Sequence, residues 1–204
     1  MSVGDRINQT QLERLRARLS DPAAIGQIPT GPVRAAAVLM PIFERAGELH
    51  LVFIRRSDRV ESHRGQVAFP GGRVDPTDDT LVTTALREAW EEVAIEPAQV
   101  EILGGFEGAT ARVSNIFVVP FVGVIPSNEG LRPDPSEVAE IFDVPISAIR
   151  DRRFRREHRF VRDGVEQGYP AVIYGGQTIW GLTLRFVEEL LVRMDGRVDG
   201  RIVR

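Results

Sequence analysis

The segment from Gly71 to Ile95 constrains this chain most strongly, because it joins a glycine turn to a helix with two chemically different faces. The consecutive Gly71 and Gly72 allow the backbone to turn sharply or to approach a ligand closely. Apolar residues then recur with the i, i+3, i+4, i+7, i+11 spacing of an amphipathic helix: Val82, Ala85, Leu86, Ala89 and Val93. The spacing predicts a helix over about residues 80–93 that buries one face.

The same helix carries a row of acids beside its apolar face. Glu88, Glu91 and Glu92 are related as i, i+3 and i+4, so all three lie on one face. Like charges at this spacing destabilise a helix, which indicates a cation that the helix holds. Hard divalent ions prefer carboxylate ligands and keep positions open for water and phosphate oxygens. The pattern therefore predicts a Mg²⁺ or Mn²⁺ site that activates water and neutralises phosphoryl charge, although the acids alone are also typical of a solvated helix face.

The acids stand in a longer pattern that begins at Phe69-Pro70-Gly71-Gly72. This region resembles the signature of the Nudix hydrolases: Gly, five residues, Glu, seven residues, then Arg-Glu-x-x-Glu-Glu-x-Gly. Asp79 takes the earlier acidic position, one residue further from Gly72 than in the general pattern, and Ala94 replaces the closing glycine. The four core positions match in order, at Arg87, Glu88, Glu91 and Glu92.

The resemblance implies roles for these residues. Glu88 and Glu92 are expected to bind the metal, with Glu91 as a further or water-mediated ligand and the Gly71 carbonyl as an additional one. An ion pair between Arg87 and Asp79 is expected to fix the loop against the helix. The general base stays open: Glu88 serves in one scheme, and Glu137 or Glu140 serves in another, as a base or an extra ligand. The histidines are weaker alternatives, at His50, His63 and His158.

A second motif precedes the glycines, in residues 52–72. It resembles the motif that coenzyme A diphosphatases of the Nudix superfamily carry at this place, and seven residues are in register: Arg56, Ser57, Gly65, Phe69, Pro70, Gly71 and Gly72. The resemblance implies substrate contacts from Arg56, Ser57, His63, Gly65, Gln66 and Gly72. Two residues depart from the motif: Ile54 replaces a threonine, and Glu61 replaces an arginine that would pair with phosphate.

The implied substrate is coenzyme A or an acyl-CoA, cleaved to 3′,5′-ADP and 4′-phosphopantetheine or its acylated form. Because Glu61 lies in the specificity motif, other nucleoside diphosphate derivatives stay open, namely ADP-ribose, NADH and dinucleoside polyphosphates. A catalytically inactive module that only binds nucleotides is a further alternative. Weaker similarity continues downstream, at Glu137–Pro145 and Ile179–Thr183.

Composition limits the partners. A net charge of −3 gives no support for a nucleic-acid surface. The basic run at 151–159 is read instead as a solvated strand edge, where charges discourage aggregation. With no cysteine, thiolate catalysis and Cys-ligated zinc are excluded. No apolar run approaches the ~20 residues that span a bilayer, and no secretory signal is visible, so we expect a cytoplasmic protein without membrane contact.

The predicted fold class is α/β, and the resemblance implies a Nudix-type α/β/α sandwich with a mixed β-sheet. We expect residues 1–204 to form one domain, with an N-terminal helix at about 8–19, a core at about 33–193 and a short C-terminal tail. The tail, 195–204, is either free or a hairpin across a homodimer interface. Strands are predicted at about 33–43, 49–55, 66–69, 100–107, 116–125, 157–162 and 170–174, a short helix or turn near 137–150, and a last helix at about 178–193.

Overall fold

The computed structural model describes residues 3–30, 34–60, 63–111, 115–162 and 165–196. The helices are α1 (Val3–Arg16), α2 (Pro22–Ile25), α3 (Leu81–Val93), α4 (Ile146–Arg150) and α5 (Gly181–Asp195). The strands are β1 (Ala35–Arg45), β2 (Glu48–Arg56), β3 (Val67–Ala68), β4 (Gly71–Arg73), β5 (Glu101–Gly105), β6 (Ala109–Ala111), β7 (Ile116–Val124), β8 (Val138–Pro145), β9 (Arg155–Arg162), β10 (Val165–Tyr174) and β11 (Gln177–Trp180).

The main sheet is mixed, with β1 at its centre. β1 runs parallel to β7 and antiparallel to β2, while β5 and β6 pair with β7, and β8 pairs with β2. β1 and β2 pair only near their connecting turn, from Ile42↔Leu51 to Arg45↔Glu48. Beyond that point β3 pairs with β2 and β4 pairs with β1. The sheet therefore forks, and the segment that ends in Gly71 and Gly72 fills the fork.

Alternation along β1 supplies both faces of the sheet. Ala36 and Met40 pack in the core shared with α1, α4 and α5, whereas Ala37 and Leu39 pack in the core beneath α3. A sheet with helices on both faces is the α/β/α sandwich, and the predicted fold class is confirmed. A second, antiparallel sheet of β9, β10 and β11 adds to the layer of α5.

α3 has defined ends. The Thr80 hydroxyl accepts a hydrogen bond from the Thr83 N–H at 3.1 Å, which caps the first turn. At the other end Ala94 adopts the left-handed conformation, with φ 57° and ψ 35°. This conformation normally favours glycine, which is the residue that the Nudix signature has here. The helix ends where the signature predicts it, with a non-glycine residue in the terminating position.

Two predicted elements differ from the structure. The segment 137–150, predicted as a short helix or turn, is mostly the strand β8, and only its end forms α4. The N-terminal helix lies earlier than about 8–19, at Val3–Arg16. Most of the predicted tail, 197–204, lies outside the described residues. The basic run at 151–159 leads into β9, an edge strand as predicted, where Arg159 pairs with Glu157 and Glu166 at 3.4 Å.

Candidate active site

Glu92 is the most buried acid of the α3 row, with a side chain only 2% exposed. Its Oε1 accepts a hydrogen bond from Arg56 Nη1 at 3.2 Å, and its Oε2 accepts one from the Gly71 N–H at 2.9 Å. Burial raises the pKa of Glu92 to about 8, although Gly71 and Arg56 act to lower it. A carboxylate this poorly solvated requires positive charge beside it when it is ionised.

Glu88 lies one turn earlier and directly over Gly72. A Cβ atom at Gly72 would stand 2.4 Å from the Glu88 Cδ, so only glycine leaves room for this carboxylate. Burial raises the pKa of Glu88, and the neighbouring Glu91 and Glu137 act in the same direction. Glu91 is more open, with a side chain 55% exposed. The three acids therefore form a gradient from solvent to interior along one helix face.

Arg87 binds the helix to the loop before it, but through a different acid from the one predicted. Its Nε and Nη2 donate to the two carboxylate oxygens of Asp78, each at 3.0 Å, and the Asp78 side chain is 1% exposed. Asp79 is exposed to solvent. The predicted pairing of Arg87 with Asp79 is therefore wrong, because the loop turns the earlier of the two adjacent acids inward. The sequence contained an indication of the correct acid, because five residues separate Gly72 from Asp78, the spacing of the Nudix signature.

Arg87 also contacts the acidic row itself. Its Nη1 lies 3.0 Å from Glu88 Oε1 and 2.9 Å from Glu91 Oε2, and its Nη2 donates to the Arg73 carbonyl at 3.0 Å. The hydrogen bond with Asp78 is the main cause that raises the pKa of Arg87. The guanidinium is thus permanently charged and joins the loop, the β4 strand and the helix.

Glu137 lies on the loop before β8, which is tied to α3 by the hydrogen bond from the Asp134 N–H to the Glu92 carbonyl at 2.9 Å. Its charge acts on both Glu88 and Glu92, and its side chain is exposed. Glu140 has different neighbours: its Oε2 lies 3.4 Å from Arg55 Nε and accepts from Gln177 Nε2 at 2.7 Å. Of the two acids predicted as a base or extra ligand, Glu137 lies on the loop that is hydrogen-bonded to the end of α3, whereas Glu140 is held between β2 and β11.

The upstream motif forms a turn at the end of β2. The Arg56 N–H donates to the Gln66 carbonyl at 3.0 Å, and the Gly65 N–H donates to the Arg56 carbonyl at 3.1 Å. His63 Nδ1 lies 3.0 Å from Gln66 Oε1. The buried Ser57 accepts from the Arg59 N–H at 3.2 Å. These contacts shape the turn, and the Arg56 guanidinium at its start donates to Glu92.

The two departures from the motif have different positions. Ile54 is fully buried in the core beneath α3, so it lies under the site and not on its surface. Glu61 lies outside the described residues.

The other predicted histidines lie elsewhere. His50 Nδ1 is 2.7 Å from Asp143 Oδ2, at the opposite end of β2 from Arg56, a separation of about 20 Å along the strand. The His158 ring packs 4.5 Å from the Trp180 ring on the second sheet. Neither residue joins the acidic row.

The donor set fits a hard divalent cation in its chemistry. Glu88 and Glu92 supply carboxylate oxygens, the ligands that Mg²⁺ and Mn²⁺ prefer, and burial raises the pKa of both groups. Among the described residues, no three His, Cys, Asp or Glu side chains are already arranged as a ligand set. In this arrangement Arg87 pairs with Glu88 and Glu91, and Arg56 pairs with Glu92.

Comparison with known proteins identifies the family. A family model for the NUDIX domain matches residues 33–163. The chain belongs to the Nudix family. The Nudix hydrolases NudL of Yersinia pestis (strain Pestoides F) and Yersinia pseudotuberculosis (serotype O:1b, strain IP 31758), both described as uncharacterized, are each 40% identical to it over 157 residues, 77% of this chain and 78% of theirs. This Nudix protein is a hydrolase that acts on phosphoric anhydride bonds.

The fold agrees with this membership. A MutT/nudix family protein from Enterococcus faecalis superposes with a TM-score of 0.50 at 15% identity, over 97% of this chain and 70% of that chain. Nudix hydrolases generally use divalent metal ions, which agrees with the acidic row. Over the ranges that the structure describes, no helix has the length and apolar character to cross a bilayer.

Proposed function

We propose that this Nudix hydrolase cleaves the diphosphate of coenzyme A or an acyl-CoA. Water adds to one phosphorus, the bridging P–O bond breaks, and a proton passes to solvent as the two phosphates separate. The products are 3′,5′-ADP and 4′-phosphopantetheine or its acylated form. The position of the Arg56 guanidinium, 3.2 Å from Glu92, carries this proposal.

Arg56 links the substrate motif to the hydrolytic site. It is one of the residues at which the upstream sequence matches the coenzyme A motif, and its guanidinium donates to Glu92, a carboxylate that the Nudix signature assigns to the metal. Guanidinium groups bind phosphate oxygens through two hydrogen bonds. The burial of Ile54 also supports the proposal. Ile54 replaces a threonine of the motif, but it lies in the core beneath the site, so the replacement does not alter a substrate contact.

Glu88, Glu91 and Glu92, with the carbonyl of Gly71, would hold Mg²⁺ or Mn²⁺. When bound, such an ion activates water and neutralises charge on the phosphoryl oxygens. Glu137, which is exposed and lies on the loop bound to the end of α3, is the better supported of the two acids as a base. Arg87 and Asp78 keep the helix and the glycine loop in one arrangement.

A substrate panel tests the proposal. Coenzyme A, acyl-CoAs, ADP-ribose, NADH and dinucleoside polyphosphates are each incubated with the protein and Mg²⁺ or Mn²⁺, and the products are separated by chromatography. We expect the highest kcat/KM with coenzyme A or an acyl-CoA, and release of 3′,5′-ADP. A higher kcat/KM with another nucleotide would show that this nucleotide is the better substrate, and the assignment as a hydrolase would stand.

Glu92→Gln tests the metal assignment in the same assay. We expect a loss of about 10²–10³ in kcat, since the ligand charge is removed and the shape is kept. The exposed Glu96→Gln, on the loop after α3, is the matched control and is expected to keep full activity. Near-normal turnover by Glu92→Gln at saturating Mg²⁺ would refute the metal assignment.

A further inference from the structure

The loop before β8 is bound to the last turn of α3. The Arg132 N–H donates to the Val93 carbonyl at 3.1 Å, and the Asp134 N–H donates to the Glu92 carbonyl at 2.9 Å. Carbonyls in the last turn of a helix have no partner within the helix. The loop satisfies them, and through Asp134 it is attached to the residue whose side chain is the innermost acid of the site.

Asp134 also fixes the turn that follows. Its Oδ1 accepts hydrogen bonds from the Ser136 N–H at 2.8 Å and from the Ser136 hydroxyl at 2.7 Å. Its carbonyl accepts from the N–H groups of Glu137 at 3.0 Å and Val138 at 2.7 Å. One residue therefore connects the backbone of Glu92 to the backbone of Glu137.

Glu137 is held from its other side as well. Its carbonyl accepts a hydrogen bond from the Ser57 N–H at 2.7 Å, so both of its peptide groups are fixed. Its side chain is exposed to solvent, and its charge acts on Glu88 and Glu92. The position of an exposed side chain depends strongly on its backbone, and here the turn that carries that backbone is fixed in part by Asp134.

We propose that Asp134 is a positioning residue that holds Glu137 against the metal-binding carboxylates of α3. This inference rests on the proposed function, because it gives Glu137 a part in hydrolysis. Asp134 is itself exposed, so shortening it leaves no cavity in the core. Its effect should therefore appear in the rate of the chemical step, with little change in substrate binding or in the stability of the fold.

The experiment measures kcat, KM and Tm for Asp134→Ala, Asp134→Asn, Glu137→Gln and the double variant Asp134→Ala/Glu137→Gln. Asp151→Ala is the matched control, because Asp151 forms the same kind of turn with the Arg153 N–H at 2.8 Å, away from the acidic row. We expect Asp134→Ala to lower kcat about tenfold with KM changed less than about twofold. Asparagine keeps an acceptor oxygen for Ser136 and should restore most of the rate. The double variant should be no slower than Glu137→Gln alone.

Each outcome has a separate meaning. If Glu137→Gln keeps the full kcat, Glu137 has no part in the reaction and the inference is overturned together with that part of the proposed function. If Glu137→Gln is slow but Asp134→Ala matches Asp151→Ala, the positioning role is overturned and the proposed function stands. If the two losses simply multiply in the double variant, or if Asp134→Ala changes only KM, Asp134 acts by another route and the inference is overturned.

Discussion

Asp78→Asn is expected to destabilise the protein far more than the same change at the neighbouring Asp79. Four donors converge on the Asp78 carboxylate: Arg87 Nε and Nη2 at 3.0 Å, the Asp75 N–H at 2.9 Å and the Thr84 hydroxyl at 2.8 Å. Burial acts to raise the pKa of Asp78, but the hydrogen bonds from Arg87, Asp75 and Thr84 outweigh it and the pKa is lowered. An amide cannot accept from all four donors and carries no charge to pair with Arg87.

The size of the effect follows from the burial of the pair. Removing one partner of a buried ion pair costs about 3–5 kcal/mol. The Arg87 side chain is 24% exposed and keeps its contacts with Glu88 and Glu91, so we expect a loss at or just below the bottom of that range, about 2–3 kcal/mol. For a chain of this length, the change in Tm is about 4–12 °C. Asp79→Asn, at an exposed position, should change stability by less than about 0.5 kcal/mol.

Urea and thermal unfolding of the two variants, measured in EDTA to remove bound metal, give this comparison directly. kcat should fall as well in Asp78→Asn, because Arg87 loses the group that orients it toward Glu88 and Glu91. If Asp79→Asn is as destabilising as Asp78→Asn, the assignment of the buried acid is wrong and the loop conformation with it.

Three further perturbations give measurable outcomes. Ala94→Gly should raise stability by about 0.5–1 kcal/mol, because glycine adopts φ 57° without the steric cost that alanine has; an unchanged or lower Tm would contradict this. Gly72→Ala should lower kcat by about tenfold or more with little change in Tm, since the new methyl group displaces the flexible Glu88 carboxylate; a normal kcat would show that Glu88 tolerates the shift. Without metal, the stability contribution of Glu92 is present below pH about 4.5 and lost as pH rises to about 8, because its pKa is raised in the folded state; Glu92→Gln should remove this slope, and persistence of the slope would assign it to another group.

The sequence predicted the acidic helix correctly because two independent patterns agreed there. The apolar spacing placed Ala85, Ala89 and Val93 in the core, and the structure buries all three. The prediction of Asp79 as the partner of Arg87 was wrong, because the helical periodicity does not extend into the loop. Adjacent acids there, such as Asp78 and Asp79, differ only in the direction that the turn gives their side chains. The strand β8 was missed because β2 supplies its hydrogen bonds, from His50↔Pro145 to Arg56↔Val138, and local sequence does not show a partner so distant in the chain.

The forked sheet explains why residues that are distant in sequence donate hydrogen bonds to one carboxylate. Arg56 ends β2 on one branch of the fork, and Gly71 begins β4 on the other, where it pairs with Val38 of β1. Glu92 lies over the gap, with one oxygen bound to each branch. A Cβ atom at Gly71 would stand 2.4 Å from the Ala37 carbonyl oxygen, so β4 can lie this close to β1 only with glycine at this position. The upstream motif and the Nudix motif therefore meet at the fork of the sheet, and a shift of either branch would change a hydrogen bond to Glu92.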